Sequence, residues 1–226
     1  MIVKLLEHTP NPDRVVARAA KQCYDSGFIG DNYEYPTDAK DTKLIEKVLS
    51  MGHTSILEHA SFTFAIGGVS RSLSHQLVRF RTGISFSQQS QRYCFLGANF
   101  DRVTPPTIAA SKLLYEYNLL MNQIGELYAE MVKEGIPAED ARFVLPNAAC
   151  TNLVVSVNAR ELHHMFALRC CVHAQWEIRE LANLMRAEVR KVTEAIFVNA
   201  GANCETKGIC NEGKRSCNKL LTKQTE

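Results

Sequence analysis

The sequence predicts an α+β fold, with mixed helices around a small antiparallel sheet. Three observations carry this reading. Helical and alternating apolar patterns follow one another without the regular strand–helix–strand order of a parallel sheet. No glycine-rich phosphate loop is present. Two short segments, 60–67 and 151–157, alternate as half-buried strands do.

Residues 11–24 and 38–51 read as short helices, the second with Leu44, Ile45, Val48 and Leu49 on one face. Between them, residues 26–37 are rich in Gly, Asp, Asn, Tyr and Pro and read as a loop. Over 60–67, Phe62, Phe64 and Ile66 fall on one side and Ser61, Thr63 and Ala65 on the other. Arg71 to about Arg79 reads as a helix, which gives way to a stretch dense in Ser and Gln where helical periodicity fails. The segment 106–134 is the clearest helix. Leu113, Tyr117, Leu120, Ile124, Leu127 and Met131 recur at steps of four and three, and Gly135 and Pro137 end it. A stripe that regular is a packing seam, and long helices of this kind suit a subunit interface. Thr151 to Val157 alternates again, and Asn158 caps a helix running to about Arg169. Residues 175–198 form a last long helix with Ile178, Leu181, Met185, Val189, Val192 and Ile196 inward.

With 226 residues, 46% hydrophobic and 22% charged, the chain suits one domain, 1–226, with about 201–226 as a cysteine-containing tail. A formal charge of +2 is too small to predict a nucleic-acid or membrane partner, so any anion site must rest on a local basic cluster. The apolar stretch in MIVKLLEHTPNP is too short for a signal segment, and no run approaches a membrane span. The expected location is cytoplasmic, with eight reduced cysteines; the adjacent Cys170 and Cys171 argue against a disulfide framework.

The densest polar segment is Arg79-Phe80-Arg81-Thr82-Gly83-Ile84-Ser85-Phe86-Ser87-Gln88-Gln89-Ser90-Gln91-Arg92-Tyr93. Its guanidiniums suit phosphate, and its hydroxyls and amides can position a sugar, a base or a flavin edge. Gln76 and Arg79, three apart, share a face of the preceding helix. Composition alone also allows a solvated polar loop. A second set is Asn158, Arg160, His164 and Arg169; Arg160 and His164 are four apart and project from one helix face. Arg142 sits before an apolar Phe-Val-Leu-Pro run, an awkward place for an unpaired charge. Any one of these arginines could be a surface ion pair, but several in a near-neutral chain point to a phosphate-bearing ligand. The third set, Gly52-His53-Thr54-Ser55-Ile56-Leu57-Glu58-His59, lacks the spacing of a zinc helix. Cys204, Cys210 and Cys217 are too widely spaced for a zinc knuckle, so no metal is expected.

Together these segments resemble the flavin-dependent thymidylate synthases. The family signature is Arg-His-Arg, seven or eight residues, then Ser, continuing to Arg-Tyr. Here Arg79-Phe80-Arg81 is followed by eight residues, Ser90, and Gln91-Arg92-Tyr93. The block Gly52 to His59, Arg142-Phe143-Val144-Leu145-Pro146, Asn158-Ala159-Arg160, and Leu168-Arg169 followed by His173-Ala174-Gln175-Trp176-Glu177 match further blocks in order, from about residue 10 to 200. The middle of the signature is Phe80 where the family has histidine; it keeps a flat surface for stacking but can neither donate a hydrogen bond nor carry charge.

The resemblance implies an enzyme that makes dTMP from dUMP with bound FAD, with NADPH as reductant and 5,10-methylenetetrahydrofolate as carbon donor. It implies dUMP binding by Gln76, Arg79, Gln88, Gln89, Ser90, Gln91, Arg92, Arg142 and Arg169. It implies FAD binding by Ser55, Arg79, Phe80, Arg81, Gln88, Asn158, Arg160 and His164. Arg169, His53 and Ser90 become the catalytic candidates, Arg169 beside the uracil ring and His53 near flavin and folate. It further implies a homotetramer with sites shared between subunits, and neither a nucleic-acid nor a membrane partner. None of the cysteines has the Pro-Cys-His context of the folate-only class, so no cysteine nucleophile is expected. The alternative from the residues alone is a non-catalytic nucleotide or single-stranded nucleic-acid binding protein that stacks bases on Phe80, Phe86 and Tyr93.

Overall fold

A computed structural model describes residues 1–33 and 38–217 and has the expected α+β architecture. Strand β1 (Ile2–His8) leads into α1 (Pro12–Gln22) and α2 (Ala39–Ser50). A 3-10 turn (Thr54–His59) precedes β2 (Ser61–Ser70), which runs directly into α3 (Arg71–Leu77) and then β3 (Ile84–Gln88). The helices α4 (Pro106–Ala109), α5 (Leu114–Lys133) and α6 (Ala138–Ala141) come next. The chain continues through β4 (Cys150–Asn158), α7 (Ala159–Arg169), α8 (Trp176–Arg190), α9 (Glu194–Phe197) and α10 (Asn203–Thr206).

The four strands form one sheet in the order β1-β2-β4-β3. Every neighbouring pair is antiparallel. Thr9 N donates to Ser61 O, while Met1 lies against Gly68 at the far end of β2. The Thr63 and Ser156 hydroxyls meet at 2.9 Å, and Gly68 N donates to Asn152 Oδ1. Gln89 N donates to Asn152 O and Asn158 N to Gly83 O. Along β2 the expected face, Phe62, Phe64 and Ile66, is buried; along β4, Leu153, Val155 and Val157 are. Each such side chain removed from water contributes about 1.5–3 kcal/mol.

Local chemistry fixes the helix starts. Asp38 and Asp41 form a capping box on α2, the Ser70 hydroxyl accepts from Leu73 N on α3, and Asn158 Oδ1 accepts from Glu161 N on α7. Gln175 Oε1 takes the Glu177 and Ile178 amides of α8.

The chain is organised as two compact units. Met1–Ile2, Ile66–Arg79 and Phe86–Val154 form one; Val3–Ala65, Phe80–Ser85 and the chain from Val155 onward form the other. In the first, α5 buries Met121, Gly125 and Tyr128, and Phe95 stacks on Tyr128 at 5.4 Å. A Cβ on Gly125 would stand 1.8 Å from Ala98 O, so only glycine permits this approach. In the second, Val16, Ala17, Ile45, Leu57, Phe166, Leu181 and Phe197 are buried, and Arg18 and Asp41 pair at 3.2 Å in that interior.

Several expectations change. The 106–134 segment is two helices, because the Ser111 hydroxyl bonds Ile108 O and receives Leu113 N, interrupting the helix before Leu114. Leu113, Leu120 and Leu127 of its stripe are exposed; the side buried within this chain is Met121, Gly125 and Tyr128. The last long helix stops at Arg190, where Thr193 starts α9 by accepting Ile196 N; Ile178, Leu181, Met185, Val189 and Ile196 are nonetheless all buried. Strand β1 carries no clear apolar alternation and β3 alternates over five residues only, with Ile84 and Phe86 on one side; neither was expected. Of the loop expected over 26–37, Ile29–Asn32 form one 3-10 turn, and 34–37 lie outside the described residues, as does the tail from 218.

Candidate active site

In the first unit, α3 and the β3–β4 pair build a polar frame. Gln88 Nε2 donates to Ser74 Oγ (3.1 Å) and Thr151 Oγ1 (3.2 Å), which leaves its carbonyl oxygen for a ligand. Gln89 Oε1 accepts from Asn152 Nδ2, and Gln89 O accepts from an Arg71 guanidinium nitrogen, both at 2.9 Å. Ser90 Oγ accepts Arg92 N, which turns the chain after β3. Glu139 serves two candidates. Its carboxylate pairs with Arg92 at 2.6 Å, and its carbonyl accepts Arg142 Nε at 3.0 Å. Gln76, Arg79 and Gln91 keep their side chains without a hydrogen-bond partner among the described residues.

Arg71 is a residue that sequence reasoning missed. Burial first, and then repulsion by Arg142, lower its guanidinium from the ordinary value. Two guanidiniums that repel one another at a half-buried position are a ready seat for an anion. The sequence marked it only as the start of the helix expected over Arg71 to about Arg79.

In the second unit, Gly83 and Asn158 fix the entry to α7. Gly83 has φ +66°, and a Cβ there would lie 2.2 Å from the Asn158 side chain. Both the backbone and the contact therefore require glycine. From α7, Arg160 pairs with Glu58 of the 3-10 turn, and His164 Nδ1 lies 3.3 Å from Glu161. Asn158, Arg160 and His164 line a cavity of about 1000 Å³ together with Gly52, Thr54, Glu58, Thr82 and Lys207. That is the upper end of the range for cofactor and small-molecule sites. The donor set, a guanidinium, an ammonium, an amide and an imidazole, suits a diphosphate-bearing nucleotide.

His53, Ser55 and Arg81 are exposed and flank lining residues without joining the lining. Phe80 is buried beneath the His164 ring, and Arg169 lies over the Phe80 ring. Among the described residues, no group of three or more His, Cys, Asp or Glu is placed to hold a metal, and no helix is long and apolar enough to cross a membrane.

His163, also in the lining, stacks on Phe197 at 5.3 Å and bonds Ile196 O through Nε2 at 2.8 Å. Burial pushes its pKa below the ordinary value. The unfolded chain therefore takes up the proton first as pH falls below about 6.5. Stability is complete above that pH and is lost on acidification towards the folded value. Melting temperatures measured between about pH 7.5 and 5.5 should fall in the native protein and fall less in His163→Gln.

A family model described as thymidylate synthase complementing protein matches residues 4–194. The flavin-dependent thymidylate synthase of Geobacter sulfurreducens is 50% identical over 221 residues, covering 97% of this chain and 94% of the relative. That of Nitratidesulfovibrio vulgaris is 45% identical over 240 residues, covering 99% and 96%. Among solved structures, the flavin-dependent thymidylate synthase of Helicobacter pylori complexed with FAD and dUMP superposes with a TM-score of 0.73 at 25% identity, covering 89% of this chain and all of that one. A UMP/dUMP methylase of Streptomyces cacaoi bound with 5-Br dUMP gives 0.74 at 25% identity, covering 88% and 95%.

Proposed function

The chain belongs to the flavin-dependent thymidylate synthase family, and from that premise we propose how its residues divide the work. The enzyme methylates dUMP to dTMP with FAD as its flavin. The cavity lined by Asn158, Arg160 and His164 is the observation that carries the assignment of residues. Its size and its donors fit FAD, with Ser55 and Arg81, which flank lining residues, completing the set. Bound FAD supplies the hydride that completes the new methyl group. NADPH is the reductant and 5,10-methylenetetrahydrofolate the carbon donor in this reading.

The chain's own groups bind, orient and polarise. Arg92 and Arg142, held by Glu139 and joined by Arg71, seat the dUMP phosphate. Gln76, Gln88, Gln89, Ser90 and Gln91 offer neutral hydrogen bonds to sugar and base. Arg169 sets a fixed cation beside the uracil, where it favours negative charge developing at N3 and O4. His53 stands at the flavin and folate side. The leucines that α5 leaves exposed, Leu119, Leu120 and Leu127, support a homotetramer whose sites draw residues from more than one subunit. A cytoplasmic location belongs to the same proposal. The alternative of a non-catalytic nucleic-acid binder finds no support among the relatives.

No step requires an enzyme thiolate. Cys170 is buried, and burial raises its pKa to about 11, which keeps it a thiol at working pH. The Cys170→Ala, Cys171→Ala double variant, supplied with FAD, NADPH and methylenetetrahydrofolate, should form dTMP within about threefold of the native rate. A variant that still binds FAD and dUMP but makes no dTMP would overturn the cysteine-free route.

A further inference from the structure

Phe80 stands where the family signature has histidine, and its surroundings give it a task. The side chain is 4% exposed, so its ring belongs to the interior. Two groups from α7 close on it. The His164 ring meets it edge-on, at 5.5 Å between centroids with planes at 83°. The Arg169 guanidinium carbon lies 5.5 Å from the Phe80 centroid, within cation–π range. Arg169 Nε is buried and has no hydrogen-bond partner, and no carboxylate pairs with this arginine among the described residues. The aromatic ring is therefore what holds the guanidinium in place.

We infer that Phe80 is a positioning residue for Arg169: its ring fixes the guanidinium by a cation–π contact and leaves the N–H donors free for the substrate. The inference rests on the role proposed for Arg169. A carboxylate in the same place would occupy two N–H groups and neutralise the charge. A neutral imidazole would offer a ring nitrogen that accepts an N–H, and a protonated one would repel the cation. Phenylalanine does neither. It supplies attraction through its quadrupole and asks for no hydrogen bond in return. His164, braced by Glu161, steadies the ring from the side.

The test is Phe80→Met, which keeps volume and polarisability but removes the π face, with Phe80→Tyr as the conservative rescue. In FAD-loaded protein, dUMP affinity is read from the change it causes in the flavin absorption band. Phe80→Met should weaken dUMP about tenfold while FAD affinity holds, and Phe80→Tyr should recover most of that loss. In an Arg169→Ala background Phe80→Met should have no further effect. An equal loss in both backgrounds overturns the proposal. The Arg169 Nε proton, followed by NMR without any ligand, should carry an upfield ring-current shift that Phe80→Met abolishes. An unmoved resonance overturns it as well, and Phe80→Leu gives the same readout if the methionine variant does not fold. Native protein that binds FAD but not dUMP would instead refute the functional reading, while the resonance comparison still decides the Phe80 contact.

Discussion

Arg169→Ala will abolish most dTMP formation, lowering kcat by about 10²–10³, while FAD remains bound with near-native affinity. The asymmetry follows from where Arg169 stands. It is the last residue of α7, its guanidinium rests on Phe80, and it is absent from the lining of the cavity assigned to the flavin. Its removal leaves Asn158, Arg160 and His164 in place but withdraws the fixed positive charge from the uracil. A preorganised charge of this kind acts mainly on the transition state, so kcat should fall more than dUMP binding weakens. Single-turnover kinetics with a flavin titration on the same preparation measures both. Equal losses in turnover and in FAD affinity would contradict the role.

The second large effect concerns the fold that carries the site. Asp41→Ala should cost about 3–5 kcal/mol of stability. Asp41 is 1% exposed and holds Arg18, itself 5% exposed, at 3.2 Å and Lys21 at 2.5 Å. It also completes the capping box at the start of α2. Truncation removes the buried carboxylate that compensates a buried guanidinium, and it removes the half of the capping box that accepts the Asp38 amide. Denaturant unfolding at matched protein concentration is the measurement, since oligomers melt in a concentration-dependent way. A change below about 1 kcal/mol would mean that the pair is solvated in solution. The double variant Arg18→Met, Asp41→Leu should recover much of the loss, because an apolar pair of similar volume incurs no desolvation cost.

Periodicity was informative wherever one face of an element is buried within this chain. Phe62, Phe64 and Ile66 on β2 and Ile178 to Val189 on α8 announced themselves because the solvent on the other side enforces a pattern. It misled at α5. The Leu113, Leu120 and Leu127 stripe is as regular as a core stripe, yet within this chain it faces outward. A sequence does not distinguish an apolar face destined for its own core from one destined for a partner. β3 was hidden for a different reason. Its Ile84-Ser85-Phe86-Ser87 alternation is only a few residues long and runs into a polar Gln-Gln-Ser-Gln stretch, too short for periodicity to mark a strand.

The candidate site was legible through its motifs and less so through its partners. Arg92 and Arg160 could be named as candidates, but Glu139 lies far from Arg92 in sequence and Glu58 far from Arg160, so spacing gave no sign of either pairing. Arg71 is similar: only folding reveals the repulsion between it and Arg142. For Phe80, the expectation was a flat ring available for stacking. The structure buries that ring against His164 and Arg169.

The central claim is that this chain methylates dUMP at C5 with FAD as its flavin, using Phe80 in place of histidine. Release of tritium from C5-labelled dUMP by the purified protein, with NADPH and methylenetetrahydrofolate present, tests it most directly. The account predicts release that requires FAD and NADPH and disappears in Arg169→Ala. Protein that binds FAD and dUMP but releases no tritium, and regains release on Phe80→His, would contradict the account of Phe80. Protein that binds no flavin and releases no tritium would contradict the claim itself.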